Sequence, residues 1–247
     1  MRLHLLVEDD QMTDNSDGSG ALKAIGRKRV CVALVTVLIL SVIGTVIAFE
    51  LTDVYKRARL DPDYQSFCAV SEGMNCETVA LSDFSTFAGV PVSVWATAGY
   101  FLAFFLALIA LVKTSTGFGR GFLVVQGVVF LIASVALVYI MAVTIESFCI
   151  LCLALDAVNV GIFAMTVIAV KIPGDRIGAT VVRDFSTLFT TPVMAALVIG
   201  GAALIMAGSY FYGRSIGALD EGEFTGPGGE THLAGEFDSP ETWAKAV

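Results

Sequence analysis

Two cysteines separated by two residues, Cys149 and Cys152, stand in Glu146-Ser-Phe-Cys-Ile-Leu-Cys at the head of a long apolar run. On one helix this spacing brings two sulfurs within bonding reach, so the pair can hold or release two electrons as dithiol or disulfide. Ser147 is a candidate N-cap, which places both cysteines in the first turns, where unpaired N–H groups and the macrodipole favour a thiolate. Packing is the competing reading, because a free cysteine also behaves as a small hydrophobe. A second pair, Cys68 and Cys76, lies eight residues apart in Phe-Cys-Ala-Val-Ser-Glu-Gly-Met-Asn-Cys, with Gly73 and Asn75 to turn the chain. It either pins its loop as a structural disulfide or exchanges with the helix pair. A zinc site of four thiolates is the weaker alternative, since the only histidines, His4 and His232, sit in the tails, and no metal is expected. Covalent haem is unsupported, because Leu153 stands where a C-x-x-C-H motif needs histidine.

The elements that must position these sulfurs are membrane helices. The 247 residues are 56% hydrophobic and only 15% charged, with a mean hydropathy of +0.79, which is too apolar for a soluble domain. Residues 1–22 are polar and read as a disordered tail. Lys23, Arg27, Lys28 and Arg29 then lead into 30–49, an uncharged run of about the 20 residues that cross a bilayer. A cleaved signal peptide is the rival for this run, but no small-residue cleavage pattern follows it. Further spans are expected over 92–112, 121–144, 148–170 and 192–212. Cys31, alone in the first span, reads as inert packing.

Five spans put the termini on opposite sides. Lys23 to Arg29, then Lys113 and Arg120, then Lys171, Arg176 and Arg183 share one side, which the excess of Lys and Arg marks as cytoplasmic. The opposite, exoplasmic side receives the loop over 50–91, the junction at Glu146 and the acidic tail 213–247, hence four of the five cysteines. Disulfides form and persist in that compartment. Within the loop, Phe84, Phe87 and Val90 stand at near-helical spacing, so 82–91 is expected to be a short interfacial half-helix capping the bundle. Charge in a membrane protein is read side by side across the bilayer, so the formal net charge of −8 names no partner by itself, and nothing in the sequence looks built for nucleic acid.

The order loop cysteine, loop cysteine, Ser82, Gly-Val-Pro, then Cys-Ile-Leu-Cys at the start of the fourth span resembles the integral-membrane vitamin K epoxide reductase family, including its bacterial quinone-dependent members. The resemblance covers about 30–212, and Ser82 follows the second loop cysteine by six, as the family's serine or threonine does. It implies an all-α membrane fold, a four-helix bundle around a quinone of the ubiquinone or menaquinone type, with a fifth helix packed outside. It further implies a relay. A thioredoxin-fold partner reduces a Cys68–Cys76 disulfide through Cys68, Cys76 attacks a Cys149–Cys152 disulfide at Cys149, and the freed Cys152 faces the quinone. Ser82 is then a quinone-binding or site-holding residue, and the output is disulfide bonds in secreted proteins, from the inner (plasma) membrane.

Two departures stand out. Asp156, four residues after Cys152, occupies a position where vertebrate relatives carry tyrosine, and a carboxyl within a span is a candidate proton acceptor, although it equally serves by facing water or a neighbouring helix. Residues 213–247 hold no cysteine, whereas several bacterial relatives continue into a thioredoxin-like domain; the partner is expected as a separate protein or as a fusion beyond this sequence. Three rivals remain: the unrelated four-helix disulfide-forming quinone reductases, whose two cysteine pairs come in the opposite order; a reductase of vitamin K quinone or epoxide; and a non-enzymatic membrane scaffold with two structural disulfides.

Overall fold

The computed structural model describes residues 2–61, 64–71, 73–171, 176–217, 224–225 and 231–232. Among these residues the chain forms seven helices: α1 (Arg2–Leu60), α2 (Cys76–Leu81), α3 (Val92–Val112), α4 (Arg120–Ile140), α5 (Ile150–Lys171), α6 (Ile177–Thr190) and α7 (Pro192–Gly217). Two short antiparallel ribbons complete it, β1 (Thr86–Phe87) with β2 (Val90–Pro91), and β3 (Phe224–Thr225) with β4 (Thr231–His232). Among the described residues, five stretches are long and apolar enough to cross a membrane: Ile25–Leu60, Val92–Val112, Arg120–Ile145, Ile150–Lys171 and Ala195–Ile216. Hydrocarbon offers no partner for a backbone N–H or C=O, and a helix satisfies both internally. The protein is therefore an all-α integral membrane protein, and the lipid bilayer is its surroundings.

Several boundaries depart from the sequence expectation. The first helix takes in the segment read as a disordered tail from Arg2 on, and it runs eleven residues past 49 to Leu60. Extending an existing helix adds one hydrogen bond per residue fixed, so an apolar run that has nucleated propagates cheaply into polar flanks. Beyond Phe49 the exposed face also gains an i,i+4 ion pair, Arg57 Nε to Asp53 Oδ2 at 2.8 Å. The half-helix expected over 82–91 is instead a 3₁₀ turn, Asp83–Ser85, followed by the β1–β2 hairpin. Ala88 (φ 56°) and Gly89 (φ 72°) are both left-handed, the requirement of the two-residue turn whose twist matches that of paired strands. The basic connection between the fourth and fifth spans contains α6, not anticipated from sequence. Its spacing buries Thr180, Asp184 and Leu188 on one face and exposes Val182, Phe185 and Phe189 on the other. Of the acidic tail expected over 213–247, the stretches 218–223, 226–230 and 233–247 lie outside the described residues.

The chain divides into two compact units. The first comprises 1–42, 103–131 and 159–198. Its polar centre is the start of α4, where Asp184 Oδ2 accepts the N–H groups of Gly119 (2.9 Å) and Gly121 (2.7 Å), two donors with no partner inside the helix. Burial raises the Asp184 carboxyl above the usual carboxylate range, and the Gly121 N–H and the Arg183 guanidinium partly offset it. Arg120 turns back to the carbonyls of Gly117 and Ala169.

The second unit comprises 43–102, 132–158 and 199–247 and carries the cysteines of interest. Here α1 and α3 meet closely at Gly44, above which lies the ring of the fully buried Tyr100; a Cβ on Gly44 would stand 2.5 Å from the nearest ring carbon. Tyr100 in turn donates its hydroxyl to the Leu155 carbonyl on α5 at 3.4 Å. Gly44→Ala is therefore expected to overpack this junction at a cost of about 1–3 kcal/mol, read as a lower thermal unfolding midpoint in detergent. An unchanged midpoint would show that the ring moves aside without penalty.

Candidate active site

The geometry of the sulfurs begins with backbone pairing. The extended segment after α4 lies parallel to the loop: Asn75 N–H donates to the Phe148 carbonyl and Phe148 N–H to the Gly73 carbonyl, both at 3.0 Å. Asn75 and Phe148 each precede a cysteine, so the pairing brings Cys76 beside Cys149, with Sγ to Sγ at 3.3 Å. Asn75 also caps α2, its Oδ1 accepting the N–H groups of Glu77 (2.8 Å) and Thr78 (3.3 Å). One asparagine thus sets both the start of the short helix and the register of the two chains.

Cys68 and Cys76 are joined as a disulfide, with Cα atoms 5.8 Å apart, while Cys149 and Cys152 are free thiols. Cys68, Cys76 and Cys149 are each no more than 1% exposed, in a sheath that includes Leu51, Val54, Val138, Met141 and Leu151. Cys68, the sulfur through which the resemblance has the partner act, is covered. The loop is tied down there: the Ser66 N–H donates to the Glu77 carboxylate, and the Ser66 hydroxyl lies 3.3 Å from Cys68 Sγ. The neighbouring Phe67, by contrast, is 71% exposed.

The helix start also differs from expectation. Ser147 does not cap α5; its Oγ is buried without a hydrogen-bond partner among the described residues. Chain geometry explains the displacement. α4 ends in a π turn, Met141–Ile145, and Glu146 is left-handed (φ 55°), so residues 147 and 148 are spent in the extended segment that pairs with the loop. Cys149 takes the cap position instead. Its carbonyl accepts the Leu153 N–H at 3.0 Å and its sulfur accepts the Cys152 N–H at 3.2 Å, the role that a serine or aspartate oxygen fills elsewhere. The Cys149 thiol is held below its usual range, first by a hydrogen bond from the Cys152 side chain and then, against the opposing effect of burial, by the backbone N–H groups of Cys152 and Leu151. A thiolate here is a good nucleophile and a good leaving group.

Cys152, half-buried, lies one turn further along α5, and Asp156 one turn beyond that. The Asp156 carboxyl is hydrogen-bonded by Ser134 on α4, and its Oδ2 is buried with no partner among the described residues. Ser82 closes the end of α2, donating its hydroxyl to the Val79 carbonyl at 2.7 Å. That bond uses its only proton, which leaves Ser82 lone pairs to offer a ligand. Cys31 belongs to the other compact unit and takes no part in this cluster. Sequence reasoning missed Ser66 and Ser134, neither of which carries a motif. Asn75 was read only as a turn residue, although Asn ahead of an acidic residue in the first turn is a legible helix-start signal.

The family model of the Vitamin K epoxide reductase family matches residues 35–167, a stretch that contains all four clustered cysteines. No curated protein matches the chain.

Proposed function

The chain belongs to the vitamin K epoxide reductase family, membrane oxidoreductases that work through cysteines, and from that premise we propose that it is a thiol:quinone oxidoreductase that reoxidises a thioredoxin-fold partner and so drives disulfide formation. The observation that carries this reading is the 3.3 Å approach of Cys76 Sγ to Cys149 Sγ, which is contact distance between sulfurs of two different pairs.

The exchange balances as follows. A reduced partner delivers two electrons by exchange with the Cys68–Cys76 disulfide and leaves oxidised. The Cys76 thiolate attacks Cys149 of a Cys149–Cys152 disulfide; that bond breaks and Cys152 leaves as thiolate. Cys68 then attacks Cys76, the loop disulfide re-forms, and Cys149 is expelled as a thiolate stabilised by its cap position. The two electrons now reside on Cys149 and Cys152. A closed loop disulfide beside two free thiols is the redox state described above.

A quinone supplies, when bound, the terminal acceptor for two electrons and two protons. The residues of the cluster that Cys152 packs against fit such a group. The sheath of Leu51, Val54 and Leu151 is apolar, and Asp156 offers an unpartnered buried oxygen. In this reading Asp156 takes the proton from the Cys152 side, Ser134 orients the carboxyl, and Ser82 helps hold the ring. The alternation of basic residues along the sequence puts the N-terminus in the cytoplasm and the cysteines on the exoplasmic side, where the partner resides.

The test is direct. Reconstituted in nanodiscs with a reduced thioredoxin-fold protein and either ubiquinone or menaquinone, the chain is expected to form one quinol per partner dithiol oxidised. A scaffold with structural disulfides forms none, and that result would end the proposal.

A further inference from the structure

We propose that Ser66 is a positioning residue that selects Cys68 as the sulfur through which the loop disulfide opens and closes. The two sulfurs of that disulfide are not equivalent. Cys76 faces a thiol, Cys149 Sγ at 3.3 Å, whereas Cys68 faces a hydroxyl, Ser66 Oγ at 3.3 Å. The hydroxyl is held in place from both sides: the Ser66 N–H goes to the Glu77 carboxylate, and its carbonyl accepts the Ala69 N–H at 3.1 Å. Glu77 is itself anchored through its own N–H to the Asn75 cap. Ser66 is buried, so its hydroxyl acts in a site that water does not flood.

Thiol–disulfide exchange is governed by which sulfur is attacked and by how well the other leaves as thiolate. An O–H donated to Cys68 stabilises that thiolate and so favours attack at Cys76 by the internal thiol beside it. Cys149 is the nucleophile in reach. When it attacks, the Cys149–Cys76 bond forms, the Cys76–Cys68 bond breaks, and the electron pair leaves on Cys68 under the Ser66 hydroxyl. Run in the other direction, the same hydroxyl holds Cys68 as the thiolate that expels Cys149 and closes the loop. This consequence rests on the relay proposed above; the placement of the hydroxyl on Cys68 does not.

The charged and titratable groups around Cys68 set the sign. The Glu77 carboxylate on α2, which accepts the Ser66 N–H, opposes a Cys68 thiolate, as do thiolates at Cys76 or Cys149. Tyr64 packs against the cluster with the Arg57 guanidinium 5.9 Å from its ring centre, and Arg57 is paired with Asp53 on α1. The Ser66 hydroxyl offsets the acidic side of this balance.

Ser66→Thr and Ser66→Val have the same shape and differ by the hydroxyl, which separates hydrogen bonding from folding. In the full chain, reduced and held in nanodiscs, the pH dependence of Cys68 alkylation is followed by peptide mass spectrometry. Ser66→Val is expected to move the Cys68 midpoint up by about one pH unit relative to Ser66→Thr. It is also expected to lengthen several-fold the lifetime of a Cys76–Cys149 linkage. Glu77→Gln, which keeps an acceptor for the Ser66 N–H but removes the charge, is expected to move the midpoint down. If Thr and Val titrate together, the hydroxyl has no hold on Cys68 and the proposal fails, with the relay untouched. A midpoint shift without any Cys76–Cys149 linkage has the opposite meaning: the relay fails and the hydroxyl's effect on Cys68 stands.

Discussion

Cys152→Ala is expected to oxidise one equivalent of its thioredoxin-fold partner and then stop. In the resting chain the Cys68–Cys76 disulfide is intact, so the first partner dithiol can still be oxidised. The electrons then have nowhere to go, because Cys149 without Cys152 cannot form the disulfide that receives them. Steady-state quinol formation should fall on the order of 10³-fold or more, the scale seen when one member of a group that works as a unit is removed. The burst of one equivalent distinguishes this from misfolding, which removes burst and turnover together. Cys149 offers no bypass, being fully buried behind the loop. Turnover equal to that of the parent chain would take Cys152 out of the mechanism.

What could be read in the sequence follows the range of the forces involved. The spans were legible because hydropathy over 20 residues is a sum of many small local terms. The two cysteine pairs were legible because spacing decides which sulfurs share a loop or a helix turn. The contact between the pairs was implied only by the family resemblance and not by spacing, since it depends on a register between Asn75 and Phe148, 73 residues apart, that two backbone hydrogen bonds set and no side chain announces. Ser147 looked like the cap because serine favours that position in general. The π turn and left-handed Glu146 move the helix start to Ile150 and give the cap to Cys149. Phe84, Phe87 and Val90 likewise suited a helix, but the Ala88-Gly89 turn favours a hairpin, and turn chemistry prevailed over a three-residue periodicity. The cysteines of the proposed relay stand out in sequence; the residues placed beside them, Ser66 and Ser134, are single hydroxyls indistinguishable from any other until their neighbours are known.

The second large effect concerns the intermediate. In Cys152→Ser the Cys149 thiol can still attack Cys76, forming the Cys76–Cys149 bond and releasing Cys68 as thiolate; no outside oxidant is required, since one disulfide is exchanged for another. With Cys152 absent the intermediate returns only through Cys68, so alkylating the released Cys68 removes the return path. Most of the chain should then accumulate as the Cys76–Cys149 linkage with Cys68 capped, read by non-reducing peptide mass spectrometry and reversed by reductant. The pH dependence carries a sign. The hydrogen bond from residue 152 holds the Cys149 thiol below its usual range, so its thiolate persists as pH falls and is lost only below that lowered value. Serine keeps a donor at this position and alanine does not. Trapping in Cys152→Ser should therefore continue to lower pH than in Cys152→Ala, whose profile moves toward that of an ordinary thiol. If the two profiles coincide, the side chain at 152 does not tune Cys149 and the backbone N–H groups at the head of α5 act alone. Failure to detect the linkage in either variant would mean that a 3.3 Å approach between the sulfurs is packing without exchange, and the relay would have to be abandoned.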